Sequence, residues 1–252
     1  MAYRILAINP GSTSTKIAIF EDENQIFIKT IRHSAEEISS YPNIASQFAY
    51  RKDLILSELK NAGIDIATID AIVGRGGVIK PIESGIYEVN AAMLHDLEHP
   101  VMGEHASNLG GLIAHNIAAE LGDKVKAYIA DPVVVDEMDP IARISGHPAI
   151  QRLSIFHALN QKAIARTYAQ EAGRKYEDLN LIVAHMGGGI SVSAHQKGRV
   201  IDTNNALDGE GAFSPERSGS LPTGALVNLC FSGQYTKEEI KKMLCGKGGV
   251  VA

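Results

Sequence analysis

Apolar and polar positions alternate with the period of a strand near the N-terminus, shift to helical spacing through the middle, and return to strand spacing past residue 180. Tyr3-Arg-Ile-Leu-Ala-Ile-Asn9 predicts a strand, Pro10-Gly-Ser-Thr-Ser-Thr15 a turn, and Lys16-Ile-Ala-Ile-Phe20 and Gln25-Ile-Phe-Ile-Lys29 two more strands joined by Glu21-Asp-Glu-Asn24. The unit recurs as Leu181-Ile-Val-Ala-His185, Met186-Gly-Gly-Gly189 and Ile190-Ser-Val-Ser-Ala-His195, then the turn Gln196-Lys-Gly198 and Arg199-Val-Ile-Asp202. One such unit is only a turn between strands; its repetition points to a duplicated architecture.

Between the copies, Asn43 to Ala62 carries Ile44, Phe48, Leu54, Ile55 and Leu59 at helical spacing and is stopped by Gly63. Ala91 to Glu98, Ala106 to Leu121 and Ser154 to Ala172 also predict helices, the last two closed by Gly122 and Gly173. Ile69 to Val73 and Val125 to Ala130 predict short buried strands, running into Gly74-Arg-Gly-Gly77 and Asp131-Pro132. A Gly/Ser-rich stretch from Asp208 to Gly219 precedes helices at Pro222 to Phe231 and Thr236 to Leu244. Mixed sheets covered by helices in two lobes follow from this alternation, with a boundary near Arg152 that gives domains 1–152 and 153–252. Lys247-Gly-Gly-Val-Val-Ala252 breaks off inside an apolar run, where a new element would begin, so a fragment is expected.

Composition narrows the function classes. The 252 residues are 45% hydrophobic and 21% charged with a net charge of −5, an ordinary globular profile without the basic stripe of a nucleic-acid binder. No run approaches the ~18 apolar residues of a membrane span, and a strand starting near Tyr3 leaves no room for a signal peptide. Cys230 and Cys245 stand apart, as reduced packing thiols of a cytoplasmic protein would.

The two Gly/Ser turns carry the candidate chemistry. Asn9, Ser12, Ser14 and Lys16 gather an amide, two hydroxyls and an ammonium at a strand's carboxyl end, a donor set suited to a phosphoryl group. A polar hairpin turn is the plainer alternative, and the P-loop spacing is missing. Gly187, Gly188 and Gly189 remove side chains where backbone can approach a ligand, or else make a bulged turn. Arg75 and Arg217 each lie beside glycine, where a guanidinium can clamp an anion; most loop arginines are simply solvated. Asp131, at a strand exit, reads as a turn-forming Asp-Pro or as a carboxylate for Mg2+. His157 and His185 suit phosphoryl oxygens or ordinary structural roles. His105, Ser107 and Asn108 open a helix and either cap it or line a pocket. No nucleophile elbow, Cys/His pairing or dinucleotide fingerprint is present.

In this order, these motifs resemble the acetate/butyrate kinase family within the acetate–sugar kinase, Hsp70 and actin superfamily, over essentially the whole chain. Asn9-Pro-Gly-Ser-Thr-Ser-Thr-Lys16 is similar to the family's N-terminal signature and His185-Met-Gly-Gly-Gly-Ile-Ser191 to its second phosphate signature. The first of these, with Val73-Gly-Arg-Gly-Gly77 and Ala130-Asp-Pro-Val-Val-Val-Asp-Glu-Met138, is closer to the butyrate-specific members. The resemblance implies an α/β, duplicated actin-like (ribonuclease H-like) two-lobe fold with an incomplete second lobe. It implies the reaction butanoate + ATP = butanoyl phosphate + ADP, with ATP and Mg2+ required and a homodimer in the full-length form. Asn9, Ser12, Ser14 and Lys16 would surround the transferring phosphoryl. His157 and His185 would touch its oxygens, and Asp131 would help hold Mg2+. Arg217, with Arg75, would stabilise the transition state, and His105 and Asn108 would lie on the substrate side. Acetate, propionate or branched-chain carboxylates are alternative substrates. An actin- or Hsp70-like nucleotide switch, or an inactive fragment, are alternatives of another class.

Overall fold

The computed structural model describes residues 2–100, 103, 105–207 and 209–252; Asp208, which begins the Gly/Ser-rich stretch, lies outside them. The chain divides into two compact units, Met1–Pro81 with Gly85–Pro132, and Ile82–Ser84 with Val133–Ala252.

The first unit is built on a six-stranded sheet of order β3-β2-β1-β4-β6-β5. Strands β1 (Arg4–Pro10), β2 (Ser14–Glu21) and β3 (Asn24–Arg32) form an antiparallel meander. Strands β4 (Ala71–Arg75) and β6 (Lys126–Ala130) run parallel to β1, and β5 (Ile86–Glu88) closes the edge antiparallel to β6. Leu6, Ile8, Ile17, Ile19, Ile72 and Ile129 are buried, as the period of two requires of a sheet with a covered face. Helices α1 (Ala35–Ser39), α2 (Phe48–Asn61), α3 (Ala91–Glu98) and α4 (Asn108–Leu121) complete the unit. Helix α4 packs on β1, β4 and β6, with α2 and α3 against it. Leu109, Ile113 and Ile117 of α4 and Ile55 and Leu59 of α2 are all buried, each worth about 1.5–3 kcal/mol in transfer terms.

Helix α2 starts five residues later than its apolar spacing predicts, after a 3-10 turn at Ala45–Gln47. It stops where expected: Gly63 takes φ 71°, and the N–H of Ile64 reaches the carbonyl of Leu59 at 3.0 Å.

In the second unit, β7 (Asn180–Met186), β8 (Ile190–Gln196) and β9 (Arg199–Thr203) form an antiparallel sheet. Helix α5 (Ala158–Glu171) packs on β7 through Ala165 and Ala169, beside Tyr176 and Leu179 and against Leu181 and Val183. It begins four residues later than its apolar pattern suggests. The N–H of Phe156 is bonded to the carbonyl of Val133, and Phe156 packs with Val135 and Val200, so tertiary contacts hold this stretch out of the helix. Helices α6 (Thr223–Cys230) and α7 (Lys237–Leu244) follow, α7 opened by a Thr236/Glu239 capping box. The apolar run at the C-terminus forms a 3-10 turn at Gly249–Val251.

Candidate active site

In the first unit, parallel pairing of β1, β4 and β6 brings their carboxyl ends to one edge of the sheet, where α/β folds place ligands. Asn9 lies near the end of β1, Arg75 at the end of β4 and Asp131 just beyond β6. Asn9 pairs across the hairpin with Lys16, and Arg75 Nη1 points to Asn9 Oδ1 at 3.4 Å. Arg75 is therefore the last residue of a strand rather than part of an open loop, and burial holds its guanidinium below the ordinary arginine value. Ser12 and Lys16 are exposed and Ser14 partly so, leaving their side chains open to a ligand.

A residue the sequence reading missed organises this loop. Arg51 of α2 is 1% exposed and donates to the carbonyls of Gly11 (2.8 Å), Ser12 (3.2 Å) and Ser14 (3.4 Å), to Thr15 Oγ1 (3.1 Å) and to Gln47 Oε1 (2.8 Å). Among the described residues, no carboxylate pairs with it. A buried cation with only neutral partners beneath the turn raises the local potential and favours an anion there. Its signal in the sequence is position alone: Arg51 falls on the apolar stripe of the helix, three residues after Phe48 and four before Ile55.

Asp131 is 5% exposed and takes φ 35°, a sparsely populated conformation for a residue with a side chain. Its Oδ1 accepts from the N–H of Gly85 at 2.9 Å, and its own N–H donates to the carbonyl of Gly85 at 3.0 Å. No group of three metal-ligating side chains occurs among the described residues. A single backbone-steadied carboxylate still fits Mg2+, which takes one or two protein ligands and substrate phosphates. His105 Nδ1 accepts from the N–H of Ser107 and meets its hydroxyl at 2.8 Å, just ahead of α4. Asn108 is buried, its Oδ1 accepting from the N–H of Val78 at 2.8 Å, so its amide oxygen ties the exit of β4 to α4.

In the second unit, alternation along β7 puts His185 on the same half-buried face as Leu181 and Val183. That face meets α5, where His157 stands at the N-cap. The rings of His157 and His185 stack with centroids 3.7 Å apart and planes 7° from parallel. Asn160 Nδ2 lies 2.9 Å from His185 Nδ1, and His157 Nδ1 lies 2.9 Å from Ser191 Oγ. The glycine turn joins this cluster: the space open to a Cβ on Gly189 ends 3.7 Å from His157 Cε1 and 3.2 Å from the carbonyl of Ala206. A Cβ on Gly187 would stand 3.2 Å from His185 Nε2, and one on Gly188 3.3 Å from Glu216 Oε2. All three are too tight for a side chain without displacement.

The Gly188 carbonyl accepts from Ser214 Oγ at 2.6 Å and from the N–H of Glu216 at 3.2 Å, which places Arg217 next to the turn. Arg217 Nη1 donates to the carbonyl of Glu216 at 3.1 Å, while its Nε is buried without a hydrogen-bond acceptor. A buried guanidinium N–H without an acceptor is a donor suited to an anion. The structure thus brings Asn9, Ser12, Ser14, Lys16, Arg75 and Asp131 together in one unit, with His105 and Asn108 at the neighbouring helix start. It brings His157, His185, Gly187, Gly188, Gly189 and Arg217 together in the other.

Residues 147–252 match the model of the acetokinase family. Across all 252 residues the chain is 64% identical to butyrate kinase 2 of Clostridium acetobutylicum, covering 70% of that protein. It is 57% identical over 251 residues to a probable butyrate kinase of Clostridium botulinum, again covering 70% of the relative. The fold superposes on acetate kinase from Porphyromonas gingivalis with a TM-score of 0.74 at 18% identity, covering 99% of this chain and 69% of the other. Propionate kinase from Francisella tularensis gives 0.69 at 18% identity, covering 98% and 69%. The architecture is therefore the actin-like fold of these kinases, and the chain belongs to the acetate/butyrate kinase family of carboxylate kinases.

Proposed function

We propose that this chain transfers the γ-phosphoryl group of ATP to butanoate, giving butanoyl phosphate and ADP. The observation that carries the choice of butanoate is the 64% identity to a butyrate kinase along the entire chain. A carboxylate oxygen is already a competent nucleophile at neutral pH, so no general base is required. It attacks the γ-phosphorus, the bond from phosphorus to the β,γ-bridging oxygen breaks, and ADP leaves with that electron pair. What remains for the protein is alignment and the cancelling of negative charge.

Asn9, Ser12, Ser14 and Lys16 are assigned to the phosphates, with Gly187, Gly188, Gly189 and His185 as a second phosphate element. His157 donates to the transferring group. Arg217, whose buried Nε lacks an acceptor, neutralises charge that develops on it, together with Arg75. Asp131 would hold Mg2+, which when bound neutralises phosphate charge. His105 is assigned to the carboxylate side, where Asn108 supports the adjoining loop through Val78. Residues 1–152 and 153–252 are assigned as the two actin-like domains. A cytoplasmic location and a homodimer accompany this reading, and among the described residues no helix is long and apolar enough to cross a membrane.

Hydroxamate trapping of the acyl phosphate tests it, with acetate, propionate, butanoate and isobutanoate offered in turn with ATP and Mg2+. Butanoate should give the highest kcat/KM, and Arg217→Ala should lower it by about 3–4 kcal/mol, hundreds-fold. A clear preference for acetate, or ATP consumption indifferent to any carboxylate, would reject the assignment.

A further inference from the structure

Strand β8 is amphipathic in the unusual sense: its buried positions are Ser191 (0% exposed), Ser193 (1%) and His195 (2%), while Val192 is exposed. Buried polar side chains must be paired, and the pairing here has one consistent direction.

Its direction is set at Ser191. The Ser191 carbonyl can only accept, and it lies 3.0 Å from the side-chain amide of Gln161, so that atom is Nε2. Gln161 Nε2 also donates to Ser191 Oγ at 2.8 Å, and the N–H of His157 donates to the same oxygen at 3.3 Å. Both lone pairs of the hydroxyl are then taken by groups that only donate. Its hydrogen is left for His157 Nδ1, 2.9 Å away. At the other end, Gln161 Oε1 needs a donor and finds His195 Nε2 at 3.0 Å. That leaves His195 Nδ1 to accept from the Tyr176 hydroxyl at 2.6 Å. Burial, and then the nearby Lys162 ammonium, lower the His195 pKa to about 4, consistent with a neutral ring that accepts at one nitrogen and donates at the other.

We infer that Tyr176, His195, Gln161 and Ser191 form a directed hydrogen-bond relay that holds His157 in the Nε2–H tautomer, so that the ring offers a donor to the transferring phosphoryl group. The four are positioning residues. A phosphoryl oxygen is an acceptor, and the opposite tautomer would turn a lone pair toward it and repel it. The tautomer follows from hydrogen-bond geometry alone; its use on the phosphoryl group rests on the function proposed above.

Long-range proton–nitrogen NMR of the ring nitrogens reads the tautomer directly in the full chain near neutral pH. Wild type should show His157 protonated at Nε2 with Nδ1 bare. Ser191→Ala should give a mixture of tautomers, and Ser191→Thr, which keeps the hydroxyl, should restore the wild-type pattern. In steady-state assays Ser191→Ala should lower kcat about 10-fold while leaving KM for ATP and butanoate unchanged. A wild-type ring protonated at Nδ1, or a Ser191→Ala spectrum unchanged from wild type, overturns the relay. The wild-type spectrum decides even where Ser191→Ala fails to fold. A shifted tautomer with full kcat overturns its catalytic use, and absence of turnover in wild type rejects the proposed function while the spectra still decide the relay.

Discussion

Arg51 supports the turn between β1 and β2 from below. Its guanidinium donates to the carbonyls of Gly11, Ser12 and Ser14, a threonine hydroxyl and a glutamine amide oxygen from a site that is 1% exposed. Arg51→Met keeps the packing volume but strips donors from those oxygens, and each unsatisfied buried acceptor costs about 1–3 kcal/mol. Urea denaturation should show a loss of about 3 kcal/mol or more, with ATP binding weakened in parallel. Arg51→Lys should rescue little, because one ammonium cannot span a fork of five partners. Stability within 1 kcal/mol of wild type (about a fivefold change in the folded ratio) would show that the loop holds itself. The exposed and partly exposed donors of this turn were legible from residue type, since Ser12, Ser14 and Lys16 are polar residues beside a strand end. Arg51 was not, because its place on the apolar stripe does not say whether the guanidinium is covered or reaches past the stripe to solvent.

At the scale of elements, strand β4 and helix α4 touch backbone to backbone. A Cβ on Gly74 would stand 2.8 Å from the Gly111 nitrogen and closer still to the Gly110 carbonyl. Gly74→Ala should therefore destabilise by about 3 kcal/mol, the upper end for overpacking, since backbone on both sides cannot swing aside as a side chain can. Thermal unfolding is the measurement, with Gly146→Ala, where a Cβ meets nothing within 4 Å, as the comparison that should cost far less. Equal effects would refute the close crossing. Most strands and helix ends were readable beforehand, because alternation and glycine stops are local. The start of α5 was not. Ser154 to His157 have helical neighbours in sequence but are held out of the helix by long-range partners, among them Val133 and Val135. The buried face of β8 was unreadable for a related reason: periodicity assigns burial to its apolar side, whereas Gln161 of α5 binds Ser191 and His195 and Thr203 of β9 binds Ser193.

For the molecule as a whole, the buried histidines make stability depend on acid. His195 has an ordinary value of 6.5 and a folded one of about 4, so between these pH values the unfolded chain binds the proton first. Stability is complete above about pH 6.5 and declines as pH falls toward 4, by about 3 kcal/mol from this residue. His33 adds in the same direction, lowered by burial and by Arg51. Denaturation followed over that range should show the decline, and His195→Asn should flatten it. A variant with the wild-type slope would remove His195 as the cause.

Residue type and local spacing were enough to determine the strand–turn–strand repeat and, through the order of its motifs, the family. These depend on neighbours along the chain. Only the tertiary structure decided which polar residues lie inside. Arg51 under the loop and the line from Tyr176 to His157 are assembled from segments far apart in sequence, and their burial is favourable only because each finds its partner there.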